Sequence, residues 1–300
     1  MAETAERRTA GRLTLWGARA AWLAIALVGD RAVGGAVAER SDAVQFTATA
    51  GAWVGWAAGA LALAVPGVAM LTAVRAVVPT ATVVAALTFV AGADGGAVMA
   101  LAVPAVVAGV LVGSADTGRV YVQAEAYGDE DRFPLRAPYG YLAATVATWA
   151  LWVAVLLIAP MAWAARSWIL AGVSTVLAVG AAWVLPIRWH QLARRWLVAV
   201  PAGLVVHDPV VLAETVMLPR RQIEAIGVVA AHDRVTALDL TGPTPGVAVE
   251  IELVEAATAV LAPRAATPKG TAIHTTALLV APTRPGAVLR EAALRRLGIR

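Results

Sequence analysis

Trp189-His190-Gln191-Leu192-Ala193-Arg194-Arg195-Trp196-Leu197-Val198-Ala199-Val200 is where the chain changes character. Before the arginine pair lie long apolar runs that only a bilayer would solvate. After it come short alternating segments that read as a small soluble β domain. All eleven tryptophans sit at or before Trp196. The division predicts a polytopic α-helical membrane bundle followed by a C-terminal, mostly β domain.

Composition agrees. Of 300 residues, 60% are hydrophobic and 15% charged, against roughly half and a quarter in soluble domains. There is no cysteine, which excludes disulfides, thiolate metal sites and cysteine nucleophiles. Lys269 is the only lysine, and with the Ala, Val and Gly load this suggests a GC-rich bacterial genome. The formal net charge of +4 is small. It reads as cytoplasmic-side arginine at a membrane surface, not nucleic-acid binding.

A spanning helix needs about 20 mostly apolar residues. A polar tail, 1–12, carries Arg7, Arg8 and Arg12, and the apolar run behind it continues past a signal-peptide cleavage zone. Six spans are expected at about 13–29, 46–74, 77–91, 97–112, 141–164 and 168–189. Arg19 can snorkel from the first, and Pro66 is expected to kink the long second one. The third and fourth are short enough that a re-entrant hairpin is an alternative. Inner segments hold Arg75, Arg119, Arg132, Arg136, Arg188, Arg194 and Arg195 besides the tail arginines, and outer loops only Arg31, Arg40 and Arg166. This bias puts both termini in the cytoplasm of a bacterial inner membrane. Gly51, Gly55 and Gly59 recur every four residues on one helical face. Such a face lets backbones approach closely, within the chain or in a homo-oligomer.

The spans are nearly free of Asp, Glu, His and Lys, which ion-coupled transport would need. No metalloprotease, nucleophile-elbow or phosphate-loop motif occurs, and His190, His207, His232 and His274 lack ligand spacing. No catalytic residue, cofactor or metal ligand is assigned. The inner loop, 114–140, contains brief alternation at Val120–Gln123 and then Asp129-Glu130-Asp131-Arg132-Phe133, with Arg136 beyond. This acidic run beside two arginines is a candidate interaction site, or a turn whose charges pair locally. Phe133 and Leu135 are apolar enough to dock on the C-terminal domain. Arg194 and Arg195 read as the positive flank of the last span, attracted to an anionic surface.

In the segment 194–300, strands are expected at 196–200, 204–208, 213–218, 222–230, 235–241, 247–253 and 273–281. Val247, Val249, Ile251 and Leu253 face inward. A helix begins near Pro285, carries an apolar stripe of Leu289, Ala293 and Leu297, and stops at Gly298. Seven strands then one helix resemble the pleckstrin-homology-like (PH-like) barrel. Arg194-Arg-Trp-Leu-Val-Ala-Val200 and Leu218-Pro-Arg-Arg-Gln-Ile-Glu-Ala-Ile226 resemble bacterial PH-like domains. The whole chain is similar to uncharacterised actinobacterial integral membrane proteins, through Tyr127–Pro138 and the Arg195–Asp208 hairpin. The resemblance implies a scaffold and no catalytic residue. The turn Pro201-Ala-Gly203 lacks the basic residues with which better-known PH domains bind inositol phosphates. The expected function is non-enzymatic. A bundle seated in the lipid bilayer presents the domain to a protein partner, to the membrane surface or to another copy. Alternatives are a transporter or channel component with a regulatory domain, and a membrane enzyme using the 114–140 loop.

Overall fold

The computed structural model describes residues 2–229, 237–242, 244, 246–263 and 270–300, and the side chains from residue 10 onward. The side chains of Arg7 and Arg8, and all of Ala230, His232, Val235 and Lys269, lie outside the described residues. Two compact units emerge. One holds residues 1–121 and 145–189, the other 122–144 and 190–300.

The first unit is helical. Its elements are α1 (Ala2–Val37), α2 (Asp42–Ala64), α3 (Val68–Val77), α4 (Thr80–Val90), α5 (Gly95–Gly113), α6 (Ala115–Gln123), α7 (Tyr139–Ala164) and α8 (Trp168–Ala193). Six helical stretches are long and apolar enough to cross a bilayer, with α3 and α4 together forming the third. Leu27 and Ile169 are each 85% exposed on these helices. Lipid is the medium in which such surface is stable, and the chain is a multi-pass membrane protein. The third and fourth stretches have 23 and 19 residues. At about 1.5 Å per residue both can reach across a hydrocarbon core of roughly 30 Å.

The second span departs from the expected one. Residues 46–74 do not form one kinked helix: α2 ends at Ala64 and α3 starts at Val68. Pro66 removes a donor and restricts Val65, which is extended at φ −114° and ψ 91°. Pro66-Gly67 is a turn dipeptide, but no charged residue accompanies it, so hydropathy alone runs the two helices together. Inside a membrane the freed carbonyls must find partners. Val65 N–H donates to Leu61 O, and the Tyr121 hydroxyl to Ala62 O at 2.8 Å. Arg19 Nε donates to Leu63 O at 2.9 Å and its terminal nitrogen to Ala64 O at 3.2 Å. Arg19 is thus not merely snorkelling. It caps α2, where a cation also suits the helix dipole. Burial pushes the Tyr121 hydroxyl up to about 12, with Arg19 pulling the other way, so it stays a donor.

Pro79 makes a second break. Val77 O accepts from Thr80 Oγ1 at 2.6 Å, and Ala76 O from Trp149 Nε1 of α7 at 2.8 Å. Trp22 and Trp56 tie α1 to α2 reciprocally, each indole N–H donating to the other's carbonyl at 2.9 and 3.0 Å. Asp94 caps α5, accepting from Ala97 N–H at 2.9 Å. Val120–Gln123 belongs to α6, so its brief alternation does not mark a strand.

The second unit contains β1 (Asp131–Pro134), β2 (Trp196–Val200), β3 (Gly203–His207), β4 (Val216–Pro219), β5 (Ile223–Val229), β6 (Leu238–Asp239), β7 (Ala248–Leu261), β8 (Thr271–Val280) and α9 (Pro285–Leu294). The strands form two four-stranded sheets, β1-β2-β3-β4 and β5-β7-β8-β6. Isolated bridges, Leu135 with Pro282 and Leu212 with Leu261, link their neighbourhoods. Among the described residues no continuous ladder closes them into the expected barrel. β6 runs parallel to β8, and β1 is an eighth strand contributed by the loop between the fourth and fifth spans.

Leu197, Leu204, Val206, Leu218, Ile226, Ile251 and Leu278 form the core, joined by Phe133 and Leu135. Val249, Ile251 and Leu253 face inward as expected, whereas Val247 is exposed ahead of the strand. β7 continues to Leu261 because a shift in pairing after Glu252 lets it resume against β8 at Ala257. The helix stripe is rotated from the expected one. Ala287, Val288 and Ala292 are buried, Leu289 only partly, and Ala293 is exposed. The stop is also two residues earlier. Arg296 takes the left-handed conformation at φ 53°, with Leu297 N–H on Ala292 O at 2.9 Å. Gly298 instead allows close approach to β5, since a Cβ there would run into Glu224 O.

Candidate functional site

Period-two alternation explains how the inner loop enters the second unit. Phe133 and Leu135 share one face of an extended segment, as do Arg195, Leu197 and Ala199. β1 pairs antiparallel with β2, Phe133 opposite Leu197 and Asp131 opposite Ala199. Phe133 is 2% exposed and Leu135 6%. The segment is stitched in further by Leu135 N–H on Arg195 O at 3.0 Å, Arg136 N–H on Ala281 O at 2.8 Å and Thr283 N–H on Pro134 O at 2.8 Å.

Arg195 sits where these strands meet and is 1% exposed. Its Nε and one terminal nitrogen donate to Asp208 Oδ1 and Oδ2 at 2.8 and 2.7 Å. The other terminal nitrogen donates to Arg136 O at 2.6 Å. Asp208 also accepts from Val210 and Val211 N–H at 3.1 and 3.3 Å. This fork-on-fork pair joins three chain segments. Reading Arg195 as a membrane flank is therefore corrected, because alternation turns it inward with Leu197. Arg194, one residue away, is exposed.

The acidic run does not converge on one point. Glu130 binds Arg132 at 2.6 Å and accepts from Tyr127 N–H. Asp129 binds Arg295 at 3.2 Å, and Arg295 also binds Glu291 at 2.7 Å. Asp131 sits opposite Ala199 on β1. Arg136 donates to Val247 O. Arg295, at the end of α9, is thus a contact with the loop, while Arg290 and Arg296 are exposed. Gln123 braces the loop, donating to Glu130 O and accepting from Arg132 N–H, both at 2.8 Å.

Outside the core, Arg132 lies over the Trp196 ring at 5.3 Å, and Trp196 stacks on His207 at 4.9 Å. His207 Nδ1 is 3.0 Å from Thr215 Oγ1. Burial pushes this imidazole below its usual range, and Arg194 and Arg132 add to that against Asp208. Sequence pattern alone assigns Asp208 and Gln123 no role, marks His207 only as a histidine without ligand spacing, and marks Arg295 only as part of the polar side of the last helix. The strand-ending Asp208-Pro209 and the phase of Arg195 carried the signal for the first.

In the helical unit the three glycines separate. A Cβ at Gly59 would run into the Trp22 ring, whereas Gly51 and Gly55 have nothing within 4 Å. Among the described residues no group of three His, Asp or Glu is placed to hold a metal ion. No protein-family model, no curated protein and no solved structure matches this chain.

Proposed function

We propose that the chain is a non-enzymatic protein of a bacterial inner membrane, akin to actinobacterial proteins with a C-terminal PH-like domain. Six helices anchor a cytoplasmic domain that engages a protein partner at the membrane surface. The observation that carries this reading is the interleaving of chain and domain. The chain enters the second unit after Tyr121, leaves it at Thr145 and returns after Trp189. A tail-anchored domain needs one tether. This one has three chain passages and takes a core strand from between two spans, as suits a domain built together with its membrane anchor. The acidic loop, spent on Arg132 and Arg295, supports a structural use over an enzymatic one. The helix α9, closing on the shared core after the strands, supports the PH-like kinship. A transporter would want ionisable groups converging in the bundle. Arg19 and Tyr121 enter it and are committed to α2 carbonyls, and Arg75, expected in an inner loop, instead lies within the third span on α3 with its guanidinium against Gly118 of α6.

The test is photo-crosslinking in native membranes from a probe residue placed at Met217, an exposed apolar position on β4. A discrete protein adduct, lost when Arg195→Met disrupts the domain, is the expected result. Lipid adducts alone would shift the reading to the membrane surface, and absence of any adduct from Met217 and from Val254 would count against it.

A further inference from the structure

Packing accounts for Gly59 and leaves Gly51 and Gly55 unexplained. Glycine is a poor helix former, and these two gain no neighbour in return. Both line a cavity of about 630 Å³ between α1, α2, the α3–α4 pair and α7. Every wall belongs to the helical unit. Trp22, Trp56 and Trp152 line it, the first two locked by their reciprocal hydrogen bonds. Gly51 and Ala52 are exposed, so the cavity opens along α2, and its lining reaches Val37 and Thr47 toward the α1–α2 turn.

Three properties select an occupant. Along α2 the lining runs from Thr47 to Ala58, about 16 Å at 1.5 Å per residue. One leaflet contributes half of a hydrocarbon core of roughly 30 Å, so the cavity has the depth of one leaflet. The wall is apolar in effect. Hydroxyls of Thr47, Thr80 and Thr88 are spent on carbonyls of their own helix or turn, which leaves Thr49 and, as the ionisable lining side chain, Asp30. The volume suits a tail. A cavity near 150 Å³ holds one benzene, so this one has room for about 20 carbons, the size of a single hydrocarbon chain.

We propose that this cavity holds one hydrocarbon tail of a membrane amphiphile, acyl or isoprenoid, taken from the leaflet along the exposed edge of α2. The site does not depend on the C-terminal domain, and its test is separate from that of the presented domain.

The full chain is reconstituted in nanodiscs doped with a diazirine-bearing phosphatidylglycerol or, in parallel, a diazirine-bearing polyprenyl phosphate. Irradiation should label the lining around Ala52, Gly55 and Leu156 about tenfold more than the exposed outer face at Ile169 and Val176. The preferred probe tells acyl from isoprenoid. Gly55→Leu fills space where a Cβ meets nothing. It should keep the wild-type melting temperature and lose that labelling, and Gly51→Leu serves the same purpose should Gly55→Leu not fold. Equal labelling of lining and outer face would overturn the proposal, as would wild-type labelling in both leucine variants. A change of oligomeric state with labelling retained would assign the face to a second copy instead.

Discussion

Arg195 is the residue on which the C-terminal unit turns. Removing one member of a buried ion pair strands the other and costs about 3–5 kcal/mol, while replacing both with apolar groups costs far less. Arg195→Met should therefore destabilise the domain by that amount, and Arg195→Met with Asp208→Leu should recover much of it. Hydrogen exchange at the β2 amides of the full chain measures both. His207 gives the domain a pH response. Its folded pKa lies below the ordinary 6.5, so near pH 6.5 the unfolded chain binds a proton that the folded one refuses. The stability contributed by the neutral ring is complete above pH 6.5 and is lost as pH falls through the lower folded value. Thermal melts at neutral and mildly acidic pH should show wild type losing more than His207→Gln; equal losses would remove His207 as the cause. At Arg296 the left-handed backbone is strained for a side chain. Arg296→Gly should stabilise by about 0.5–1 kcal/mol, read as a rise in urea midpoint.

The element that matters most is β1. The sequence alone makes 194–300 look self-sufficient, with its own strands, turns and closing helix. The structure gives that segment a core partly supplied from elsewhere. Without residues 122–140 it loses Phe133 and Leu135, worth roughly 1.5–3 kcal/mol each on burial. It also loses the acceptor of one Arg195 nitrogen and exposes the edge of β2. Set against a domain stability of about 5–15 kcal/mol, the loss is large. Excised 194–300 should show weak or no cooperative urea unfolding, and a peptide of residues 122–140 added in trans should restore it. A segment that melts cooperatively alone, and ignores the peptide, would reduce β1 to a surface strap. Phe133 and Leu135 were legible as docking residues because they alternate with polar neighbours. The strand they would join was not, since nothing local to 131–134 names a partner some sixty residues later.

At the scale of the whole molecule, six crossings and the arginine bias predict which segments share a side. Reporter fusions after Pro138 and Arg300 should read cytoplasmic, and those after Arg40, Gly95 and Arg166 should read external. A cytoplasmic signal at Gly95 would restore a re-entrant pair for the third and fourth spans, and an external one at Arg300 would invert the arrangement.

Hydropathy and alternation are local quantities, and the sequence by itself determined what depends on them. They set the membrane character of 13–189, the change at Arg194-Arg195 and the inward phase of Val249, Ile251 and Leu253. Tertiary structure decided whatever depends on where a polar group finds its partner. Pro66 could end a helix within the bundle because Arg19 and Tyr121 answer the α2 carbonyls from distant parts of the chain. Arg195 turned from flank to core because Asp208 meets it. Gly59 and Gly55 share one sequence pattern, yet Trp22 packs against the first and nothing meets the second. A buried charge or a freed carbonyl is stable only when satisfied, and chain distance does not limit the group that satisfies it.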